Sequence, residues 1–416
     1  MMRALFSGVS GIRNHQARMD VIGNNIANVN TVGFKASRVT FKEAFVQLLQ
    51  GASRPPGNLG GINPIQIGTG MNIGSIDQLF TQGSLETTGQ PLDLAIQGDA
   101  MFILSNGQRD VYTRAGNFQL DANGNLISPS SGFIVQGINA DPSGNFSSTS
   151  SIGNIQLQLG GKSPAQATSQ IGLTGNLDAS AAVGATHTMG ITVYDTAGAP
   201  HDLQIVFTNT GPGAWSWAAT SATAPVTPAG TGTVTFNANG SLATFTYPGG
   251  GTNLTLTPAG GTPFQVTINA GTINGIDGLA GFANPSNAVV NSQNGYQAGD
   301  LINLSLDTNG VITGYFTNGV TRSLAQIALA SFNNPSGLLR SGDNLYEVSP
   351  NSGIAIIGFA GGTSRSTVTP GALEGSNVDI SQEFTNMIIA QRGFQANARV
   401  ITTADEMLNE LVNIRR

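Results

Sequence analysis

Apolar residues recur along this chain with two different periods, and the period changes near each end. In the first thirty residues Leu5, Ile12, Met19 and Ile26 stand seven apart, and Val9, Ile22 and Val29 widen them into one stripe. That is the pattern of a helix that packs along a partner. Gly8, Gly11 and Gly23 interrupt it, each costing up to ~1 kcal/mol of helicity relative to Ala, so this helix needs neighbours in order to form. At the other end, residues 378–414 contain no Pro and a single Gly, Gly393. Ile380, Phe384, Met387, Phe394, Ala398, Ile401, Leu408 and Val412 follow steps of four and three, with Gln391 and Asp405 as polar interruptions of the same stripe. Asn377 or Asp379 supplies an N-cap, and Glu383 sits in the first turns. At about 1.5 Å per residue such a helix reaches about 55 Å, far beyond the mean globular helix of about 11–12 residues. Its stripe calls for another long helix, from this chain or from another copy. The two helices differ by several turns, so an internal helical hairpin alone leaves part of the longer stripe uncovered.

Between these ends the period falls to two. Residues 191–194 and 203–207 flank a turn-rich stretch and predict a hairpin, and residues 233–236 and 243–247 predict another about Asn239-Gly240. Asn-Gly pairs stand at 106, 123, 239, 274, 294, 309 and 318, each a signal for a primed turn. A Ser- and Gly-rich dip at 141–163 and a break in the strand pattern at 281–291 mark boundaries. Phe41, Phe45, Leu48 and Leu49 suggest a short amphipathic turn of helix, followed by an extended or flexible connector at Pro55-Pro56-Gly57 and Gly60-Gly61. The expected fold is mainly β with α-helical termini. Nested antiparallel β domains, an outer one split by an inserted one, join a coiled-coil helical domain built from both chain ends. The expected bounds are 1–30 with 372–416 for the helical domain, 31–75 for the connector, 76–145 with 288–371 for the split β domain, and 146–287 for the insert.

Charge narrows the function classes. Charged residues make up 10% of the 416, against about 25% in an average protein, while the 39% hydrophobic content supplies real cores and argues against ordinary disorder. Residues 115–321 carry eight Asp, one Lys (Lys162) and no Arg or Glu, so they hold nothing that would neutralise phosphates and nucleic acid is not an expected partner. The basic residues of 1–54 are scattered singly, as on a solvated or interface face. There is no cysteine, hence no disulfide, thiolate nucleophile or Cys-based metal site. The first twenty residues lack the unbroken apolar core of a cleaved signal peptide, and no apolar run reaches the about 18 residues of a membrane span.

Sites for chemistry are few. His187 and His201 flank the 191–207 hairpin but fall out of register, and they read as surface polar residues at strand starts; Asp195 and Asp202 read as turn caps. Gly68-Thr-Gly70-Met-Asn-Ile-Gly74 lacks the Lys-Ser/Thr ending of a phosphate loop and reads as a flexible linker. The sequon matches at Asn145, Asn253 and Asn303 are expected by chance in so Asn- and Thr-rich a chain. No nucleophile–base pair stands out, and no catalytic residue, metal or cofactor is expected.

Two terminal blocks carry a resemblance. Asn24-Asn-Ile-Ala-Asn-Val-Asn-Thr-Val-Gly-Phe-Lys35 resembles the N-terminal signature of the axial proteins of the bacterial flagellum, the basal body rod and hook family. Asn377-Val-Asp-Ile-Ser, Glu383-Phe-Thr-Asn-Met-Ile-Ile-Ala-Gln-Arg392 and Phe394-Gln-Ala-Asn397 resemble its C-terminal signature. The matched signature positions include Asn24, Asn25, Asn28, Thr31, Gly33, Phe34 and Lys35 at one end and Gln391, Arg392 and Asn397 at the other. Phe332-Asn-Asn-Pro-Ser-Gly-Leu-Leu, continuing to Gly342-Asp-Asn-Leu-Tyr346, is shared by hook and distal rod proteins. The large middle and Val193-Tyr-Asp-Thr-Ala-Gly-Ala-Pro-His201 are similar to hook proteins in particular.

The resemblance implies a non-enzymatic extracellular subunit of the flagellar hook, exported by the flagellar type III apparatus without a cleaved signal. Its copies form a curved, flexible homopolymer that transmits torque from rod to filament, held by the terminal stripes. The implied partners are further copies of itself, a hook cap protein, a distal rod protein and hook–filament junction proteins, with no membrane insertion. A distal rod protein, similar at both ends but much shorter, is the nearest alternative. A secreted β-rich adhesin or carbohydrate-binding module is the alternative from another class.

Overall fold

The longer helix starts where Asp379 caps it. The Asp379 carboxylate accepts the Gln382 N–H at 3.1 Å, which satisfies one of the free donors of a first turn. The computed structural model describes residues 2–52, 62–147, 151–157, 160–362 and 366–414, so the expected connector at Pro55-Pro56-Gly57 and Gly60-Gly61 lies outside the described residues. Helix α1 runs Met2–Ala27 and helix α2 runs Ile380–Ile414. They pack on each other through small residues. Gly8 faces Ile401, Gly11 faces the Asn397 carboxamide, and Gly393 faces the His15 ring. Gly8 and Gly11, which weaken α1 as an isolated helix, are what let the two axes approach.

Residues 37–50 and 65–78 form a two-stranded ribbon. Strand β1 (Ser37–Glu43) pairs antiparallel with β4 (Met71–Gln78), and β2 (Val46–Gln50) pairs with β3 (Ile65–Gly68). The turn of helix expected around Phe41, Phe45, Leu48 and Leu49 is therefore replaced by strand. Val39, Thr40, Phe41 and Val46 fit an extended backbone better than a helix, and their strand partners, Ile76, Ser75, Ile73 and Gly68, lie far along the chain, where local periodicity carries no signal. The Gly-rich stretch 68–74 is likewise the turn into β4 and the start of that strand, not a loose linker.

Strands from either side of the middle interleave beyond the ribbon. Strand β5 (Leu85–Thr87) pairs with Ala372–Glu374, and β6 (Leu94–Gln97) pairs with Thr367–Pro370. Strands β7 (Met101–Ser105) and β8 (Asp110–Thr113) form a hairpin. Strand Ile134–Asn139 joins β7 to the late strand Thr321–Ser331. Leu94, Ile96, Phe102, Leu104, Val135, Ile327, Leu329 and Val368 close one core, all at 0% exposure.

The chain divides into two compact units, one of residues 1–158, 304–313 and 322–416, the other of residues 159–303 and 314–321. The second holds a five-stranded antiparallel sheet, Thr186–Tyr194, Pro200–Gly211, Ala214–Ser221, Gly232–Phe236 and Leu242–Thr246, in chain order. Trp215, Trp217 and Phe207 fill its core. A second, six-stranded sheet in the same unit includes a parallel pair, Gln170–Asn176 with Phe264–Asn269. The fold class is mainly β, with several antiparallel sheets and a helix at each end.

Two local expectations need correction. At five Asn-Gly pairs the Gly adopts positive φ, but the Asn before it does not, so these are not primed turns. Asp121 shows the form they take. Its carbonyl accepts the Gly124 N–H at 3.0 Å, and its carboxylate accepts the Asn123 and Asn125 N–H groups at 2.9 and 2.7 Å. A type I turn with a left-handed Gly closes such a hairpin, and the aspartate occupies donors that the turn leaves free. Asp141, Asp195 and Asp307 repeat the arrangement.

His201, expected at the surface, is buried. Its Nε2 lies 3.3 Å from the Asp195 carboxylate and its Nδ1 lies 2.8 Å from Thr223 Oγ1. Burial raises the pKa of Asp195, but the hydrogen bonds from Ala199, His201 and Ala197 outweigh it and hold this carboxyl below its ordinary value. His187 is six positions out of register with His201, and its Nε2 meets the Ala288 carbonyl at 2.8 Å.

Candidate functional site

The expected terminal stripes divide into two rows. On α1, the residues turned fully inward are Gly8, Gly11, Asn14, Ile22 and Asn25. Leu5, Ile12, Met19 and Ile26, with Val29 just past the helix, are half-buried, and Val9 is exposed. On α2, Ala390 and Ala404 are buried, while Met387, Phe394, Ala398, Ile401 and Leu408 are half-buried. Ile380, Phe384 and Val412 point outward, together with Ile388, Ile389, Met407 and Leu411. One row holds the helices together and a second apolar row meets water. Each Å² of that row withdrawn from water contributes about 25 cal/mol. The ribbon adds to it: β2 and β3 are exposed at every position, and Phe45 between β1 and β2 is 79% exposed.

The N-terminal signature block forms the joint between helices and β strands. Asn25 is buried, donating to the Ser37 carbonyl at 2.8 Å and accepting the Ser37 N–H at 2.9 Å. Asn28 donates to the Asn24 carbonyl at 2.9 Å and accepts from the Thr31 hydroxyl at 3.2 Å, which closes the end of α1. Gly33 has φ 69°, and a Cβ there would stand 2.6 Å from the Ala115 nitrogen, so only glycine fits. Phe34 is buried beneath the Arg340 guanidinium, 5.2 Å from its ring centroid. Asn377 reaches across from the other end of the chain, accepting the Ala36 N–H at 2.7 Å and donating to the Leu79 carbonyl at 2.7 Å. It does not cap α2. In the C-terminal block, Asn397 donates to Gly393 and packs on Gly11, while Gln391 and Arg392 are exposed.

Behind the joint lies a charged knot. Lys35 Nζ donates to Glu374 Oε1 at 2.6 Å and to the Thr81 carbonyl at 2.7 Å. Arg114 donates to Glu374 Oε2 at 3.3 Å and to the Gly98 carbonyl. The Gly83 N–H also points at Glu374 Oε1, at 2.9 Å. All three charged side chains are at most 1% exposed. Burial pulls the pKa values of Lys35 and Arg114 down, against the opposing attraction of Glu374. The sequence reading missed Glu374 and Arg114. The available signal was position: each is a single charge between apolar or small neighbours, Leu373 and Gly375 in one case, Thr113 and Ala115 in the other.

Two more titratable groups line the helix pair. Among the described residues His15 Nδ1 is buried without a hydrogen bond, and its ring meets Phe41 edge-on at 5.7 Å; burial first, then Arg18, lowers its pKa. Glu383 is raised by burial, which Asn25 and Arg18 oppose. It borders a cleft of about 240 Å³ with Arg18, Ile22, Arg38 and Asn386. Among the described residues no group of three or more His, Cys, Asp or Glu could hold a metal ion, and no helix is long and apolar enough to cross a membrane.

Comparison with known proteins agrees on one family. Four family models match: flagella basal body rod protein at residues 5–35, flagellar hook protein FlgE/F/G D1 domain at 95–177, flagellar basal body protein FlaE D2 domain at 162–296, and flagellar basal body rod FlgEFG protein C-terminal at 369–414. The flagellar hook protein FlgE of Treponema pallidum is 41% identical and that of Borreliella burgdorferi 39%, each alignment covering 100% of both chains. The flagellar basal-body rod protein FlgG of Bacillus subtilis is 30% identical, again over 100% of both. Among solved structures, the Helicobacter pylori flagellar hook protein FlgE2 shares the fold with a TM-score of 0.52 at 16% identity, over 70% of this chain and 100% of that one.

Proposed function

The chain belongs to the flagellar hook protein FlgE family, a structural family of the flagellar hook and basal body, and from that premise we propose how it works there. The subunit is exported by the flagellar type III apparatus, added under a hook cap, and polymerised into a curved tube that carries torque from rod to filament. Residues 1–30 with 372–416 form the inner part of that tube. The stripe residues, from Leu5, Val9 and Ile12 on α1 to Ile401, Leu408 and Val412 on α2, are its packing surface, and the insert at 146–287 lies outside. The distal rod protein and hook–filament junction proteins meet its two ends.

The observation that carries this reading is the second apolar row on α2, outward at Ile380, Phe384, Ile388 and Leu411 although α1 already covers the first. A row of that length is costly in a monomer and useful between copies. The β strands add a sparsely charged surface, on which contacts can slide because few ion pairs lock one geometry. A second reading, distal rod protein, is favoured by the full-length match to the Bacillus subtilis rod protein.

Electron microscopy of the purified protein above its polymerisation concentration separates these readings. Curved tubes are expected. Straight rods would transfer the assignment to the rod, and monodisperse particles at every concentration would overturn both.

A further inference from the structure

Lys35, Arg114 and Glu374 stand far apart in the chain. The Lys35–Glu374 pair closes over 339 residues and the Arg114–Glu374 pair over 260. Glu374 is the single carboxylate within ion-pair distance of either cation among the described residues. Two buried cations thus share one buried anion, and the Arg114 Nε still has no hydrogen-bond partner among the described residues.

Stability does not account for such a choice. Taking ions out of water is costly, and apolar side chains of the same volume commonly hold a core as well or better. What the ions do supply is geometry. The two oxygens of Glu374 meet donors from separate elements: Lys35 beyond α1, Arg114 after β8, and the Gly83 N–H before β5. The Glu374 carbonyl takes a fourth donor, the Gly33 N–H, at 2.7 Å. A slip of one residue in Ala372–Glu374 against β5 would turn the carboxylate to the opposite face of the strand, leaving both buried cations with no carboxylate within ion-pair distance among the described residues and only the more distant Asp99 charge acting on them. Apolar residues would tolerate that slip; this knot does not.

The position of the knot gives it leverage. Lys35 lies eight residues past the end of α1 and Glu374 six before the start of α2, so the same three side chains set where both helices leave the β strands. We infer that Lys35, Arg114 and Glu374 form a register latch, which holds the terminal helical pair at one setting against the β strands of its own unit and so gives every subunit of a polymer the same joint. The polymer half of this statement rests on the assembly reading above; the latch itself does not.

Two full-length variants test it by amide exchange in the soluble protein and by electron microscopy of the polymer. Glu374→Gln keeps the shape and removes the charge. Exchange at Gly33, Gly83 and Gly375 should accelerate by about a hundredfold, with the five-stranded sheet of residues 186–246 unchanged. The triple variant K35M/R114M/E374M should fold and keep the Gly33 and Gly375 amides protected, because their acceptors are backbone carbonyls and the buried ion pairs are gone, while Gly83 loses its acceptor; its tubes should lose a uniform helical form. Wild-type exchange rates in Glu374→Gln would overturn the latch, and so would triple-variant tubes with the wild-type helical form. If wild-type protein makes no tubes, assembly fails as a reading while the exchange arm still decides the latch.

Discussion

At Gly11 the cost of a glycine in a helix is set against what its missing side chain allows. Alanine would raise intrinsic helicity by up to ~1 kcal/mol, but its Cβ would collide with the Asn397 carboxamide. Gly23, in the same helix, faces open space within 4 Å. The two substitutions should therefore act in opposite directions on the helix pair. Gly23→Ala should raise its thermal midpoint by the few degrees that about 1 kcal/mol gives, and Gly11→Ala should lower it, both read by far-UV circular dichroism. Equal shifts for both would mean that α1 does not pack on α2 through this face. Sequence alone marked all three glycines of α1 as weaknesses, because a partner helix nearly four hundred residues away is invisible to local pattern. The Asn-Gly pairs show the same limit. They found left-handed glycines correctly at five positions, yet the turn type was decided by the aspartate three residues before the glycine at Gly124 and Gly310.

Elements were legible where their own residues stabilise them. The steps of three and four along residues 378–414 gave α2, and alternation gave the hairpin of Thr186–Tyr194 with Pro200–Gly211. The ribbon was not legible, since β1 and β2 find their partners in β4 and β3, and β2 exposes every residue while β1 only half-buries Val39 and Phe41. The stripe on α2 was legible as a stripe but not as two rows. Facing α1 at Ala390 and Ala404 and facing water at Ile388 and Leu411 are distinctions that depend on where α1 lies. They can be separated by substitution. Ile388→Lys should leave the monomer's melting unchanged and raise the polymerisation concentration by about tenfold or more, since each fully buried aliphatic side chain contributes about 1.5–3 kcal/mol. Ala390→Lys should instead unfold the helix pair within the monomer. Sedimentation of the polymer against concentration, beside a thermal melt, distinguishes the two. An Ile388→Lys chain that polymerises like wild type would remove the outer row from the packing surface.

Across the whole molecule, strands from residues 85–139 pair with strands from residues 321–374, which brings both chain ends to one joint. The terminal blocks of the sequence conveyed the family. The charged knot stayed hidden, because Lys35, Arg114 and Glu374 acquire their meaning only once the strands carrying them are side by side. The proposed assembly requires the outer row of the helical pair to be the surface that other copies cover. Amide exchange of α2, compared between dilute monomer and assembled polymer of the same chain, tests this directly. The account predicts that amides around Ile388 and Leu411 slow by about two orders of magnitude or more on assembly, as burial of several such side chains implies, while the sheet of residues 186–246 changes little. Assembled polymer in which α2 exchanges as fast as in the monomer, with new protection confined to the β strands, would contradict it.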